Sequence, residues 1–418
     1  MFPKQLCKGS TTFSRNVVKR FYCGTKSDRV RKFSEDRALQ HFDKYYSLLF
    51  GQKWKSIRVA LLTKHKSVAL VNNFADPTKI CRELEVSGAF NLKSLFERKD
   101  PIVSNQMNNT ELSHDNDEYV KGLNRWLEWS RSDYHKYLNA TDIPIDIVPD
   151  DEFSYPNNLL IYSYKRCDVT RFQRVLPTEN SDRLSHFAMN GSSILPPLML
   201  NVQPDDKIYD ACSSPGGKAL LLLQTLIPIS IVCNDIDHIR VHKIHTVFKQ
   251  FLVDFKGAWK NQKIFITTQD ARICGESGVY DKILVDVPCT TDRDAVKRFK
   301  KSNMFLPSRS EELLKLPELQ TDILSNCLRL LKPGGSLVYS TCSISPVQND
   351  GIVRMAIAKA FIENNITVTV KDLSGVIDPF RELFTFQDSN ELRYGQLVLP
   401  WLTNNFGPMY FSKITRRD

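Results

Sequence analysis

From residue 205 onward, short runs rich in Ile and Val alternate with stretches of helical spacing, and this alternation restricts the fold more than any other feature of the chain. The runs at 207–213, 230–236, 263–270, 280–287 and 335–342 read as strands with helices between them. Strands joined through helices lie parallel, so the pattern predicts an α/β, Rossmann-like domain over residues 176–418: a mostly parallel sheet with helices on both faces. Runs at 367–373, 396–399 and 409–415 predict further strands near one edge.

The segment before it reads differently. Ser34 followed by Glu35 and Asp36 suits a helix start, and Leu39, Phe42, Tyr45, Leu48 and Leu49 then recur at helical spacing. Residues 54–71, 80–96 and 119–138 continue in the same manner, with Trp126, Leu127, Trp129 and Tyr134 expected in the core. Residues 99–118 are polar and predict a mobile loop. Residues 34–175 are therefore expected to form a helical N-terminal extension. No apolar run approaches the roughly 18–20 residues of a bilayer-spanning helix.

Charge is unevenly spread. Residues 1–33 hold nine Lys or Arg against Asp28, whereas residues 34–418 carry 48 bases and 46 acids. The first segment also has spaced hydroxyl and apolar residues, the composition of a mitochondrial targeting sequence; a basic arm that grips RNA would look the same. Beyond it, any nucleic-acid surface must be a local patch. The ten cysteines form no C-x-x-C pair and have no histidine at zinc-ligand spacing, so neither a metal site nor a disulfide framework is expected.

The first predicted strand runs through Asp210 into Cys212-Ser213-Ser214-Pro215-Gly216-Gly217-Lys218 and an apolar helix. Paired glycines at a strand-to-helix turn let a ligand approach the backbone, and Lys218 stands where it can meet a ligand carboxylate. The turn is neither the dinucleotide G-x-G-x-x-G fingerprint nor a phosphate-binding loop. Asp235, Asp270 and Asp286 close the next three strands. Singly each acid is an ordinary cap or turn residue; together they would converge at the carboxyl ends of the strands, where open α/β sheets bind ligands. Asp235 is placed to accept ribose hydroxyls and Asp270 an adenine amino group.

Two further motifs follow: Asp286-Val287-Pro288-Cys289-Thr290 after the fourth strand and Ser340-Thr341-Cys342-Ser343 after the fifth. With Pro215-Gly216-Gly217-Lys218, they resemble the signatures of the Sun (nucleolar-protein-like) family of RNA cytosine-5 methyltransferases, over about residues 183–418. The resemblance implies the S-adenosylmethionine-dependent methyltransferase fold, S-adenosyl-L-methionine as cofactor, and a cofactor site of Pro215, Gly216, Gly217, Lys218, Asp235, Arg240, Asp270, Ala271 and Asp286. It assigns nucleophilic attack to Cys342, product release to Cys289, and the cytosine edge to Asp286. Covalent catalysis is needed because carbon 5 of cytosine is too electron-poor to attack a methyl sulfonium until a thiolate has added at carbon 6. Ser213, Ser214, Ala219 and Ala271 stand where relatives usually carry Ala, Ala, Thr and Gly. Cys212 and Cys233 are expected to be packing residues.

Between the cysteine motifs, Arg293, Lys297, Arg298, Phe299, Lys300 and Lys301 are expected to offer phosphate contacts and a stacking ring to a flipped cytosine, or else to form a solvated loop. Asp286 to Arg293 (DVPCTTDR) and residues 405–411 (NFGPMYF) are similar to the family's mitochondrial ribosomal-RNA branch. That similarity implies action on mitochondrial small-subunit rRNA in the matrix, a role in mitoribosome assembly, and a helical-repeat partner of the mitochondrial transcription-termination-factor family. Methylation of a tRNA cytosine and a non-catalytic assembly factor are the alternatives.

Overall fold

The computed structural model describes residues 34–97, 133–138, 140, 143–173, 175, 177, 182–297, 301–388 and 391–417. The expected targeting segment, the polar loop at 99–118, Trp126, Leu127, Trp129, Arg298, Phe299 and Lys300 lie outside them. Among the described residues, no helix is long and apolar enough to cross a membrane.

The chain opens with α1 (Ser34–Phe50) and α2 (Lys53–Leu62). Ala38, Phe42, Tyr46 and Phe50 recur every four residues and bury one face of α1. The helical expectation then gives way to strands. β1 (Ser67–Val71) is followed by α3 (Pro77–Val86), capped by the Asp76 carboxylate, and β2 (Phe90–Asn91). β3 (Ile145–Pro149), β4 (Ile161–Ser163) and β5 (His186–Asn190) come next. β2, β4, β1 and β5 form a small antiparallel sheet in that order, β1 pairing with β5 from Ser67↔Asn190 to Val71↔His186. Residues 34–175 thus differ from the helical reading by four strands, each too short to show a clear period of its own.

The large sheet contains every strand expected after residue 205. It comprises β6 (Lys207–Asp210), β7 (Ser230–Asn234), β8 (Ile264–Thr267), β9 (Tyr280–Asp286), β10 (Leu331–Thr341), β11 (Val368–Asp372), β12 (Gln396–Val398) and β13 (Met409–Arg416). The order is β3-β11-β13-β10-β9-β6-β7-β8, with β12 beside β13. β8, β7, β6, β9 and β10 are parallel, while β13 runs antiparallel between β10 and β11. β3, from the N-terminal region, extends the edge beside β11.

Both faces of the sheet are covered, and successive residues alternate between two cores. Leu284 and Val338 face the core shared with α4 (Gly217–Gln224) and the small sheet. Ile283, Val285, Leu337 and Tyr339 face the one shared with α1, α7 (Ser310–Leu330) and α8 (Ile352–Asn364). Two further helices of the domain are α5 (His238–Phe251) and α6 (Asp292–Lys297). At eight residues α4 is too short to persist alone, but Leu220 to Leu223 are all buried, each contributing roughly 1.5–3 kcal/mol. Burial from both sides fixes the turn in front of α4, where the site begins.

Candidate active site

The strand order reverses at β6 and β9, and a crevice opens there at their carboxyl ends. The turn from β6 into α4 makes one wall. Gly216 has φ +101°, a left-handed conformation that glycine adopts without strain. A Cβ on Gly217 would stand 2.7 Å from the Phe187 ring. Asp210, Ser213, Pro215, Gly217, Lys218 and Asp286 line the cavity, and Phe187, Met189 and Ser193 close it from the small sheet. These last three carry no sequence signal: Phe187 and Met189 reach the site because β5 pairs with β1, and Ser193 because it sits in the 3-10 turn that follows β5.

Asp286 links the two halves of the crevice. Register places it beside Ser340 on β10, whose hydroxyl donates to Asp286 Oδ1 at 2.8 Å. Lys218 Nζ donates to Oδ2 at 2.6 Å. Lys218 was expected to face a ligand carboxylate; in the structure it is tied to a carboxylate of the protein. Burial opposes its charge, but Asp286 outweighs burial and raises its pKa.

Asp210 is different. Its carboxyl is 1% exposed, and neither oxygen has a hydrogen-bond partner. Burial pushes its pKa up to about 7; the nearby Ser213 hydroxyl, outside hydrogen-bond geometry, tempers the rise, and Asp286 adds to it. An unpaired acid beside a glycine turn suits a ligand bearing a cationic amino group. Without one, stability follows from linkage. The folded-state pKa lies above the ordinary 3.8, so the contribution of Asp210 is fully present below about pH 4 and is lost as pH rises through 7, a cost of a few kcal/mol. Asp210→Asn is therefore expected to raise the melting temperature of the ligand-free protein at pH 8, with the gain shrinking towards pH 4. Thermal unfolding across that range checks it; equal curves at every pH would refute it.

Asp235 and Arg240 form an ion pair at 3.0 Å after β7, and Arg240 also reaches Ser214 O at 3.4 Å. Asp270 is gripped by Arg272, which holds its pKa down. Ala271 is buried, its carbonyl accepting from Asn326 at 2.9 Å. Asp235, Arg240, Asp270 and Ala271 thus occupy the expected end of the sheet, but outside the cavity lining. Cys233 is fully buried, and Cys212 lines the cavity.

The two motif cysteines meet. Three residues beyond Asp286 and two beyond Ser340, Cys289 Sγ and Cys342 Sγ lie 3.0 Å apart. The contact with Cys289 and then burial push the Cys342 thiol well above its ordinary range, and the Asp286 and Asp292 charges push the same way.

The basic segment is partly corrected. Arg293, read as a phosphate contact, is buried: its guanidinium donates to Gly407 O and Ala60 O at 2.8 Å, Asn405 Oδ1 at 2.8 Å and Thr63 O at 3.2 Å. Burial lowers its pKa to about 10. Lys297 also donates to Thr63 O. Arg293 fastens α6 to the end of α2 and to the 405–407 loop, and Lys297 fastens it to the end of α2. Lys301 is exposed.

The profile of a family described as 16S rRNA methyltransferase RsmB/F matches residues 197–378. The chain is 36% identical to 5-cytosine rRNA methyltransferase NSUN4 of Xenopus tropicalis, over 91% of this chain and 90% of that protein. The Mus musculus protein of the same name is 35% identical, over 91% and 88%. A mitochondrial tRNA (cytosine(34)-C(5))-methyltransferase of Danio rerio is 27% identical, over 98% and 94%. Among solved structures, NSun6 from Pyrococcus horikoshii shares the fold, with a TM-score of 0.55 at 16% identity over 90% of this chain and 97% of that one.

Proposed function

This chain belongs to the RsmB/F (Sun) family of RNA cytosine-5 methyltransferases, and from that premise we propose that it methylates carbon 5 of a cytosine in mitochondrial small-subunit ribosomal RNA. The observation that carries the reading is the pair of thiols in contact at the ends of adjacent parallel strands. A structural role needs no such pair three residues beyond one strand-end acid that lines the cavity and two beyond that acid's hydroxyl partner.

S-adenosylmethionine, when bound, supplies the electrophilic methyl group. The orphaned Asp210 carboxyl and the turn without Cβ atoms at Gly216 and Gly217 fit its amino-acid portion. Pro215 and Lys218 would complete that wall, Asp235 and Arg240 would hold the ribose end, and Asp270 and Ala271 the base. Asp286 would orient the cytosine edge through N3 and N4. Cys342, once deprotonated, adds to carbon 6 and leaves electron density at carbon 5. After methylation a base takes the carbon 5 proton, the electron pair of that bond re-forms the double bond between carbons 5 and 6, and Cys342 leaves as a thiolate, with Cys289 assisting release.

Residues 1–33 would serve as a mitochondrial targeting segment, placing the mature enzyme in the matrix. The near-neutral charge of residues 34–418 supports reliance on a partner for RNA affinity, in keeping with a helical-repeat protein of the mitochondrial transcription-termination-factor family. The enzyme would thereby aid mitoribosome assembly.

The test is methyl transfer from labelled S-adenosylmethionine to mitochondrial small-subunit rRNA and to mitochondrial tRNA, with and without that partner. Label at cytosine carbon 5 of the rRNA is expected. Label confined to tRNA would replace this reading with the tRNA one, and no label on either RNA would shift it to an assembly role.

A further inference from the structure

We propose that Asp292 is a positioning residue that clamps the two cysteine loops together, so that both thiols serve a single cytosine. The proposal rests on the reading of Cys289 as the releasing thiol. Asp292 is the first residue of α6 and is fully buried. Its carboxylate accepts hydrogen bonds from both loops at once. Thr290, immediately after Cys289, donates through its hydroxyl to Oδ1. Ser343, immediately after Cys342, donates its hydroxyl to Oδ2 at 3.0 Å, and Ile344 N donates there at 2.8 Å. The two hydroxyls also meet directly, Thr290 Oγ1 to Ser343 Oγ at 3.1 Å.

The clamp is held from behind by the N-terminal region. Tyr46 of α1, 246 residues away in sequence, donates its hydroxyl to Asp292 Oδ2 at 3.1 Å. Gln348 spans the front, accepting from Thr290 N at 3.1 Å and donating to Thr290 Oγ1 at 3.0 Å. A carboxylate can only accept, so it gathers donors from several segments around one point, which a neutral side chain of this size cannot do as completely.

Activation of the nucleophile does not explain this placement. The Asp292 charge acts to raise the Cys342 thiol, not to lower it. Burial favours the protonated form of Asp292 itself, and hydrogen bonds from Thr290, Ile344, Ser343 and Tyr46 partly restore its charge. What the arrangement supplies is geometry. Loops from two different strands are joined at the residues next to each thiol, and the thiols stay within 3.0 Å of each other.

Uncoupling the loops would leave Cys342 able to attack and Cys289 too displaced to help it leave. The full chain carrying Asp292→Asn, and separately Thr290→Val, is therefore incubated with S-adenosylmethionine and substrate RNA, with Cys289→Ala in parallel. Free methylated RNA and denaturation-resistant protein–RNA adduct are both measured. The expected result is at least a tenfold rise in the ratio of adduct to free product for each variant, reproducing Cys289→Ala while Cys289 is still present. Adduct and product falling in proportion would show a merely structural role and overturn the proposal. Should Asp292→Asn fail to fold by its melting curve, Thr290→Val decides by the same ratio. If Cys289→Ala accumulates no adduct, the reading of Cys289 fails and the clamp falls with it; if Cys289→Ala accumulates adduct and the other variants do not, the clamp alone is wrong.

Discussion

Alanine at Cys342 is expected to lower RNA methylation by roughly 10⁴-fold or more, the scale seen when an enzyme loses its nucleophile. Without a thiolate at carbon 6 the ring remains too electron-poor at carbon 5 to take the methyl group. Cys289 stands only 3.0 Å away, but it follows β9 instead of β10 and has the releasing role in the proposed reading. Alanine at Cys289 is expected to act differently: the first covalent step survives, turnover stops, and an adduct accumulates that resists denaturation and disappears when Cys342 is also replaced. Single-turnover transfer from labelled cofactor, read beside a denaturing gel, separates the two. A Cys342→Ala protein that kept more than a tenth of the wild-type rate, together with a Cys289→Ala protein that formed no adduct, would reverse the assignment.

The second large effect is on stability. Lys413 of β13 and Asp150, just beyond β3, form an ion pair at 2.7 Å with side chains 2% and 0% exposed. Asp150→Ala would leave the Lys413 ammonium buried in the sheet with its counter-charge gone, at a cost of about 3–5 kcal/mol. The double replacement Asp150→Leu, Lys413→Met is expected to recover most of that loss, because two apolar groups of similar size need no desolvation offset. Urea unfolding of the single and double variants provides the comparison. A loss below about 1 kcal/mol in Asp150→Ala would mean that the ammonium finds another partner or solvent, and the pair would count for little.

Much of the site was legible because its chemistry follows one strand end after another. Asp286, Cys289 and Cys342 are local punctuation after apolar runs, and parallel register brings their strand ends side by side; Asp210 reads in sequence only as the end of a strand, because its lack of a partner shows only in the fold. Residues whose partners lie far along the chain were not legible. Arg293 looks like one cation in a basic run, yet its acceptors come from residues 60–63 and 405–407. Phe187 and Met189 line the cavity through the pairing of β5 with β1, a register that no local period announces. Asp292 sits between two threonines and Arg293 in sequence, and its donor Tyr46 resembles any other aromatic on a helix face. In the N-terminal region, β2 has two residues and β4 three, too few for alternation to outweigh the helical spacing around them.

β13 follows every other strand in the chain and yet lies inside the large sheet, bonded to β10 on one side and β11 on the other. A growing polypeptide must therefore hold a gap in the middle of its sheet until residues 409–416 have left the ribosome, and Arg293 waits for the 405–407 loop for the same reason. A premature stop before residue 409 removes a strand from inside the sheet. Nonsense changes there should be as damaging as early ones, and a nascent chain short of residue 409 presents two unsatisfied strand edges to chaperones and proteases.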